Sequence, residues 1–135
     1  MTLNEELAAI EAVVNECEKM LADKNFNANA IADQILSIAD PNASIAKTGE
    51  WIGILTGQID KIPWLRLKEL KHQYPNDSRI GTLGRRAAEC FLTLYNISFD
   101  LTEQVVPPDV KPETQSQNQK MRTMLKTMVS DLISP

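Results

Sequence analysis

The chain has 135 residues, of which 43% are hydrophobic and 24% are charged, so it is long enough for one domain with a hydrophobic core. It is too short for two comfortable domains, and this balance is typical of a soluble globular protein. The net charge of −4 hides an asymmetry, because residues 1–60 carry −7, residues 61–86 carry +5 and residues 87–135 carry −2.

The N-terminal part predicts two amphipathic helices. Apolar residues at alternating spacings of four and three indicate a first helix over residues 3–21, which Thr2 or Asn4 can cap. Its stripe consists of Leu3, Leu7, Ile10, Val14, Cys17 and Leu21. A second helix is predicted over residues 28–39, and the sequence Asp-Pro-Asn at 40–42 ends it.

A third helix is predicted from Ser44 to about Gly57, and glycine recurs in it at every fourth residue. Gly49, Gly53 and Gly57 leave one face without side chains. Such a face is typical of a close helix crossing inside a bundle, or of a frayed and shortened helix, because each interior glycine costs about 1 kcal/mol. The role of this spacing stays open.

Two further helices follow. Asp60 and Pro63 can start a fourth helix that ends before Pro75. A long fifth helix is predicted to reach about Val105, and its two early glycines favour a start near Thr82.

The last thirty residues predict a tethered amphipathic helix. Residues 106–119 contain three prolines and a Gln/Ser/Asn run, which is typical of an extended linker. Residues 120–135 then carry apolar side chains at helical spacing. This helix can dock on its own bundle, or on a partner or second copy through a C-terminal Met/Leu face, defined as Met121, Met124, Leu125, Met128 and Leu132.

The elements together predict an all-α fold with five to six helices. We expect a helical bundle over residues 1–105, a Pro/Gln-rich linker over 106–119 and a C-terminal amphipathic helix over 120–135. No internal repeat is evident.

Catalytic and metal-binding patterns are weak. His72 is the only histidine, and it lies beside lysines that would make it a poorer base. The Glu69 to His72 half-motif has no second copy, which a di-iron bundle requires. No glycine-rich phosphate loop is present. We therefore expect no enzyme, catalytic residue, metal or cofactor.

The positively charged block is the stronger functional signal. We define a basic face as Lys61, Trp64, Lys68, Lys71, Arg79, Arg85 and Arg86. Three interpretations remain open: the face docks on the acidic N-terminal helices or stays solvated, it binds an acidic protein, or it binds nucleic-acid backbone. The sequence does not decide whether this face is exposed.

The expected function is that of a non-enzymatic interaction protein: an adaptor, a chaperone-like factor or an accessory subunit of a larger assembly. Its partner would be another protein or a second copy, bound through the C-terminal Met/Leu face and the basic face. The alternative is a small helical subunit that binds nucleic-acid backbone without sequence specificity. The sequence identifies neither the partner, nor the oligomeric state, nor the pathway.

A cytoplasmic location is expected. No apolar stretch approaches the roughly 20 residues of a membrane-spanning helix, and the first residues do not resemble a secretion signal. Cys17 and Cys90 are far apart and match no metal or redox spacing, so we expect two reduced, partly buried thiols.

Overall fold

The computed structural model describes residues 1–134, which form an all-α fold without strands. The helical-bundle prediction is therefore confirmed. The helices in chain order are α1 (Leu3–Leu21), α2 (Ala28–Leu36), α3 (Pro41–Asp60), α4 (Trp64–Gln73), α5 (Ser78–Val105), α6 (Lys111–Met128) and α7 (Ser130–Ile133).

Helix α5 is the axis of the molecule. Its 28 residues span about 42 Å, and all six other helices pack against it. The sequence permits this because small and large apolar residues extend around much of its circumference, from Gly84 and Ala87 to Phe91 and Leu94. Within residues 1–134 no buried polar or charged residue interrupts the core.

Side-chain caps set the starts of several helices. Thr2 forms a capping box with Glu5, so Thr2 and not Asn4 caps α1. Asp40 accepts a hydrogen bond from the backbone N–H of Ala43, and Pro41 occupies the first turn of α3. Helix α3 therefore begins earlier than the predicted Ser44.

The glycines do not shorten the helices that contain them. Helix α5 begins at Ser78, ahead of the predicted Thr82, because Asp77 caps it. Helix α3 continues through its glycines to Asp60. A Cβ atom placed on Gly49, Gly53 or Gly57 would meet nothing within 4 Å, so the predicted close crossing inside the bundle and the predicted fraying are both wrong.

The predicted extended linker over residues 106–119 is also corrected. Only residues 106–110 separate α5 from α6, and α6 begins at Lys111 with Pro112 in its first turn. The Asn118 amide donates to the Phe99 carbonyl oxygen on α5 and to Glu103, which helps to hold the polar start of α6 in place. The two helices thus form a helical hairpin instead of a bundle with a loosely tethered tail.

The C-terminal helix differs from the predicted continuous helix over 120–135. Helix α6 ends at Met128, and the short helix α7 follows after Val129. Among the described helices, none is long and apolar enough to cross a membrane.

Candidate interaction surfaces

Two lysines of the basic face hold the C-terminal segment against α4. Lys68 Nζ donates to the Met128 carbonyl oxygen at 2.8 Å, at the end of α6. Lys71 Nζ donates to the Asp131 carbonyl oxygen and, at 2.8 Å, to that of Ser134. Carbonyls at a helix end lack intrahelical partners and lie at the negative end of the dipole, so both lysines act as C-terminal caps.

Basic residues also pair with the acidic first helix. Arg86 contacts Glu18 on α1 at 2.6 Å, and Arg66 contacts Glu6 at 2.7 Å. These ion pairs lower the pKa of each glutamate, chiefly through the hydrogen bonds from the two guanidinium groups. The acidic and basic segments therefore face each other within one chain.

Arg79 pairs with Asp77 at 2.8 Å and donates to the side chain of Asn4 at the start of α1. Four of the six cations of the basic face are thus engaged inside the molecule. Among the cations of this face within residues 1–134, only Lys61 and Arg85 make no hydrogen bond or ion pair.

Trp64 is not a free platform for stacking on bases. Its ring is half-buried and packs on Phe91, with 5.7 Å between ring centroids, while Lys68 Nζ lies 5.6 Å from the Trp64 centroid. His72 is exposed on the same helix. Among residues 1–134, no cluster of three or more His, Cys, Asp or Glu residues could hold a metal ion.

The C-terminal Met/Leu face is divided by the fold. Leu125 and Leu132 are buried in the chain's own core, and Met128 packs partly against it. Only Met121 and Met124 remain exposed, at 37% and 48%. The reason is that α5 has apolar residues on the side that α6 and α7 cover, so the leucines are needed to complete the core.

An exposed apolar surface on α3 was missed as a candidate from the sequence. Ile45 is 70% exposed and Ile54 is 41% exposed. At about 100° per residue, Ile45 and Ile54 project about 180° apart, one on each side of the row of Gly49, Gly53 and Gly57. The buried residues of this helix, Leu55 and Ile59, lie on the opposite side.

We call this surface the outer face of α3: Ile45, Gly49, Gly53, Ile54 and Gly57. The glycine spacing was noticed in the sequence, but periodicity could not show which side of the helix was covered. Only the structure shows that Ile45 and Ile54 are exposed while Leu55 and Ile59 of the same helix are buried.

Comparisons with known proteins assign no family: no family model matches the chain, and no curated protein or solved structure matches it significantly.

Proposed function

We propose that this chain is a non-enzymatic helical interaction protein, an adaptor or accessory subunit, that binds an apolar helix of a partner protein along the outer face of α3. One observation carries the proposal. Two large, exposed isoleucines project from either side of a helix face on which a Cβ atom placed on any of three glycines would meet nothing within 4 Å. A partner helix that packed over the glycines would cover part of each isoleucine and join them into one buried apolar surface.

The free-energy cost of the exposed glycines favours a partner at this face. Each glycine costs an exposed helix about 1 kcal/mol relative to alanine, and no contact within the described chain compensates for it. A helix that packs across small residues can approach the backbone closely and gain dispersion contacts over its length. Covering both isoleucines adds up to about 1.5–3 kcal/mol for each side chain that becomes fully buried.

The chemistry of the face favours an apolar helix. From Gly49 to Gly57 the face extends for about 12 Å, or a little more than two helical turns. The charged neighbours Lys47 and Glu50 form an ion pair with each other at 3.5 Å, which leaves no excess positive charge for nucleic acid. Nucleic-acid binding, the alternative predicted from the basic face, has less support because most of its cations have partners within the chain.

The test is a quantitative comparison of captured proteins. Tagged wild-type protein is compared with Ile45→Glu and Gly53→Glu variants, and with Leu65→Glu as a matched control, because Leu65 is an exposed apolar residue on α4. We expect at least one protein whose recovery falls about tenfold or more with both α3 variants and is unchanged in the control. Its direct binding is then measured with the purified pair.

Circular dichroism melts establish that all three variants remain folded. Sedimentation of the purified wild type at rising concentration tests for a second copy at the same face. If no captured protein depends on α3, the proposed partner helix is excluded. Self-association that Gly53→Glu abolishes would replace the partner with a second copy. Loss of a partner only with Met121→Glu and Met124→Glu would place the interface on the C-terminal helix.

A further inference from the structure

The only two cysteines of the chain meet in the core. Cys17 on α1 and Cys90 on α5 are each 3% exposed, and their helices pack directly against each other. Arg86, one helical turn before Cys90, pairs with Glu18, the residue after Cys17, at 2.6 Å, so the two cysteines lie at the same level of the contact between α1 and α5. Each thiol also shifts the pKa of the other. The long sequence separation conceals this pairing, which arises only when α1 folds onto α5.

We infer that Cys17 and Cys90 form a reversible disulfide that joins α1 to α5 when the protein meets peroxide. This inference stands independently of the proposed partner surface. It rests on the side-by-side placement of the two thiols on facing helices, together with a route from solvent to one of them.

That route is a groove between α1 and the end of α3. Cys17 lines the groove with Val13, Met20 and the side chain of Lys61. Cys90 does not line it. A small neutral oxidant such as hydrogen peroxide can therefore approach the sulfur of Cys17 first. Lys61 and Glu16 place opposite charges beside the same groove.

The surroundings assign different roles to the two sulfurs. The hydrogen bond from Cys90 lowers the pKa of the Cys17 thiol, although burial and Glu18 act in the opposite direction. The same hydrogen bond raises the pKa of Cys90, with burial and Glu18 adding to the effect and Arg86 opposing it. Because Cys17 lines the groove and Cys90 does not, we assign Cys17 as the attacking thiolate and Cys90 as the resolving thiol, and the directions of the two pKa shifts agree with this.

The reaction consumes one peroxide for each disulfide. The Cys17 thiolate attacks a peroxide oxygen, an S–O bond forms, the O–O bond breaks, and the departing hydroxide takes a proton to become water. The thiol of Cys90 then attacks the Cys17 sulfenic acid. The S–S bond forms, the S–O bond breaks and a second water leaves. The two thiols are oxidised by two electrons, and a dithiol reductant such as dithiothreitol reverses the change.

The experiment treats the reduced, full-length protein with hydrogen peroxide and then measures intact mass after denaturation and alkylation. We expect a monomer that has lost about 2 Da and takes up no alkylating agent, restored by dithiothreitol. Crosslinking α1 to α5 closes a long loop, so the oxidised form should melt on the order of 10 °C higher than the reduced form.

Variants separate the two roles. In Cys90→Ser, peroxide should leave a sulfenic acid on Cys17 that dimedone traps, whereas Cys17→Ser should yield little adduct in the same time. If a buried serine destabilises the fold, the corresponding Cys→Ala variants replace the Cys→Ser variants. Two alkylatable thiols after peroxide, disulfides only between chains, or direct conversion of wild-type Cys17 to sulfinic acid would each overturn the inference.

Discussion

Gly53 and Gly84 show how differently one residue type can be used in a single chain. Both lie inside helices, and no described glycine has a positive φ, so neither needs its special backbone freedom. A Cβ atom on Gly53 would meet nothing within 4 Å. On Gly84 it would lie 3.1 Å from Cδ2 of Leu132, because α7 packs directly on the backbone of α5.

We expect Gly53→Ala to raise the free energy of unfolding by about 1 kcal/mol, because it adds helix propensity without a clash. Gly84→Leu should lower it by about 1–3 kcal/mol, because the larger side chain must displace Leu132. Urea denaturation measures both. Gly81→Leu is the matched control in α5, since a Cβ atom there meets nothing within 4 Å. A stabilised Gly84→Leu variant would contradict this account of the packing.

Helices α6 and α7 are held by polar contacts as well as by apolar packing. Arg122 on α6 pairs with Asp100 and Glu103 on α5, each at 2.8 Å, and its guanidinium lies 5.3 Å from the centroid of the Phe99 ring. At the other end, Lys68 and Lys71 hold the terminal carbonyls. The short helix α7 depends most on the lysines, since four residues cannot form a stable helix alone.

We therefore expect a Lys68→Met, Lys71→Met double variant to open α7 locally. Amide hydrogen exchange at Leu132, whose N–H donates to the Val129 carbonyl oxygen, should become about tenfold faster. Exchange in α1 should be unchanged. Lys126→Met is the control, because Lys126 is exposed and makes no hydrogen bond or ion pair within the described range. Equal protection of the Leu132 amide from exchange in the double variant and in Lys126→Met would show that apolar packing alone holds α7.

The whole molecule pairs an acidic first helix with basic residues of α4 and α5. Because these ion pairs are partly exposed, each contributes modestly, and salt weakens them. Their main effect is on orientation: Arg66 and Arg86 fix the ends of α1 against the rest of the bundle. The net charge of the chain therefore says little about the charge that its surface presents.

This pairing predicts a pH dependence of stability. The pKa values of Glu6 and Glu18 are lowered in the folded state, so their contribution is present above the ordinary glutamate pKa and is lost as pH falls through the lowered values. We expect the free energy of unfolding to decline below about pH 4.5. In a Glu6→Gln, Glu18→Gln double variant this decline should be shallower than in wild type.

Urea titrations across the acid range measure this difference. Glu89→Gln is the control, because Glu89 is exposed and has no ion pair among residues 1–134. Parallel pH profiles for the wild type and the double variant would mean that other carboxylates determine the acid response.

The sequence alone determined the helical class, the stripe of α1, the extent of α5 to Val105 and the charge asymmetry. These are local properties, because side-chain periodicity and capping act within a few residues. The sequence predicted too late a start for α6, because prolines and a polar run are typical of a linker. In the folded chain, contacts of Asn118 and Arg122 with α5 hold this segment in a helix.

Only the tertiary structure decided which amphipathic faces were covered and which residues met across the chain. It buried Leu125 and Leu132, engaged Lys68 and Lys71, left the outer face of α3 open and placed Cys17 beside Cys90. Periodicity shows that a helix has an apolar side, but the partner of that side depends on how distant segments divide the surface of α5 among themselves. Which segment covers which part of α5 depends on the packing of the whole chain, so it cannot be predicted from any single helix.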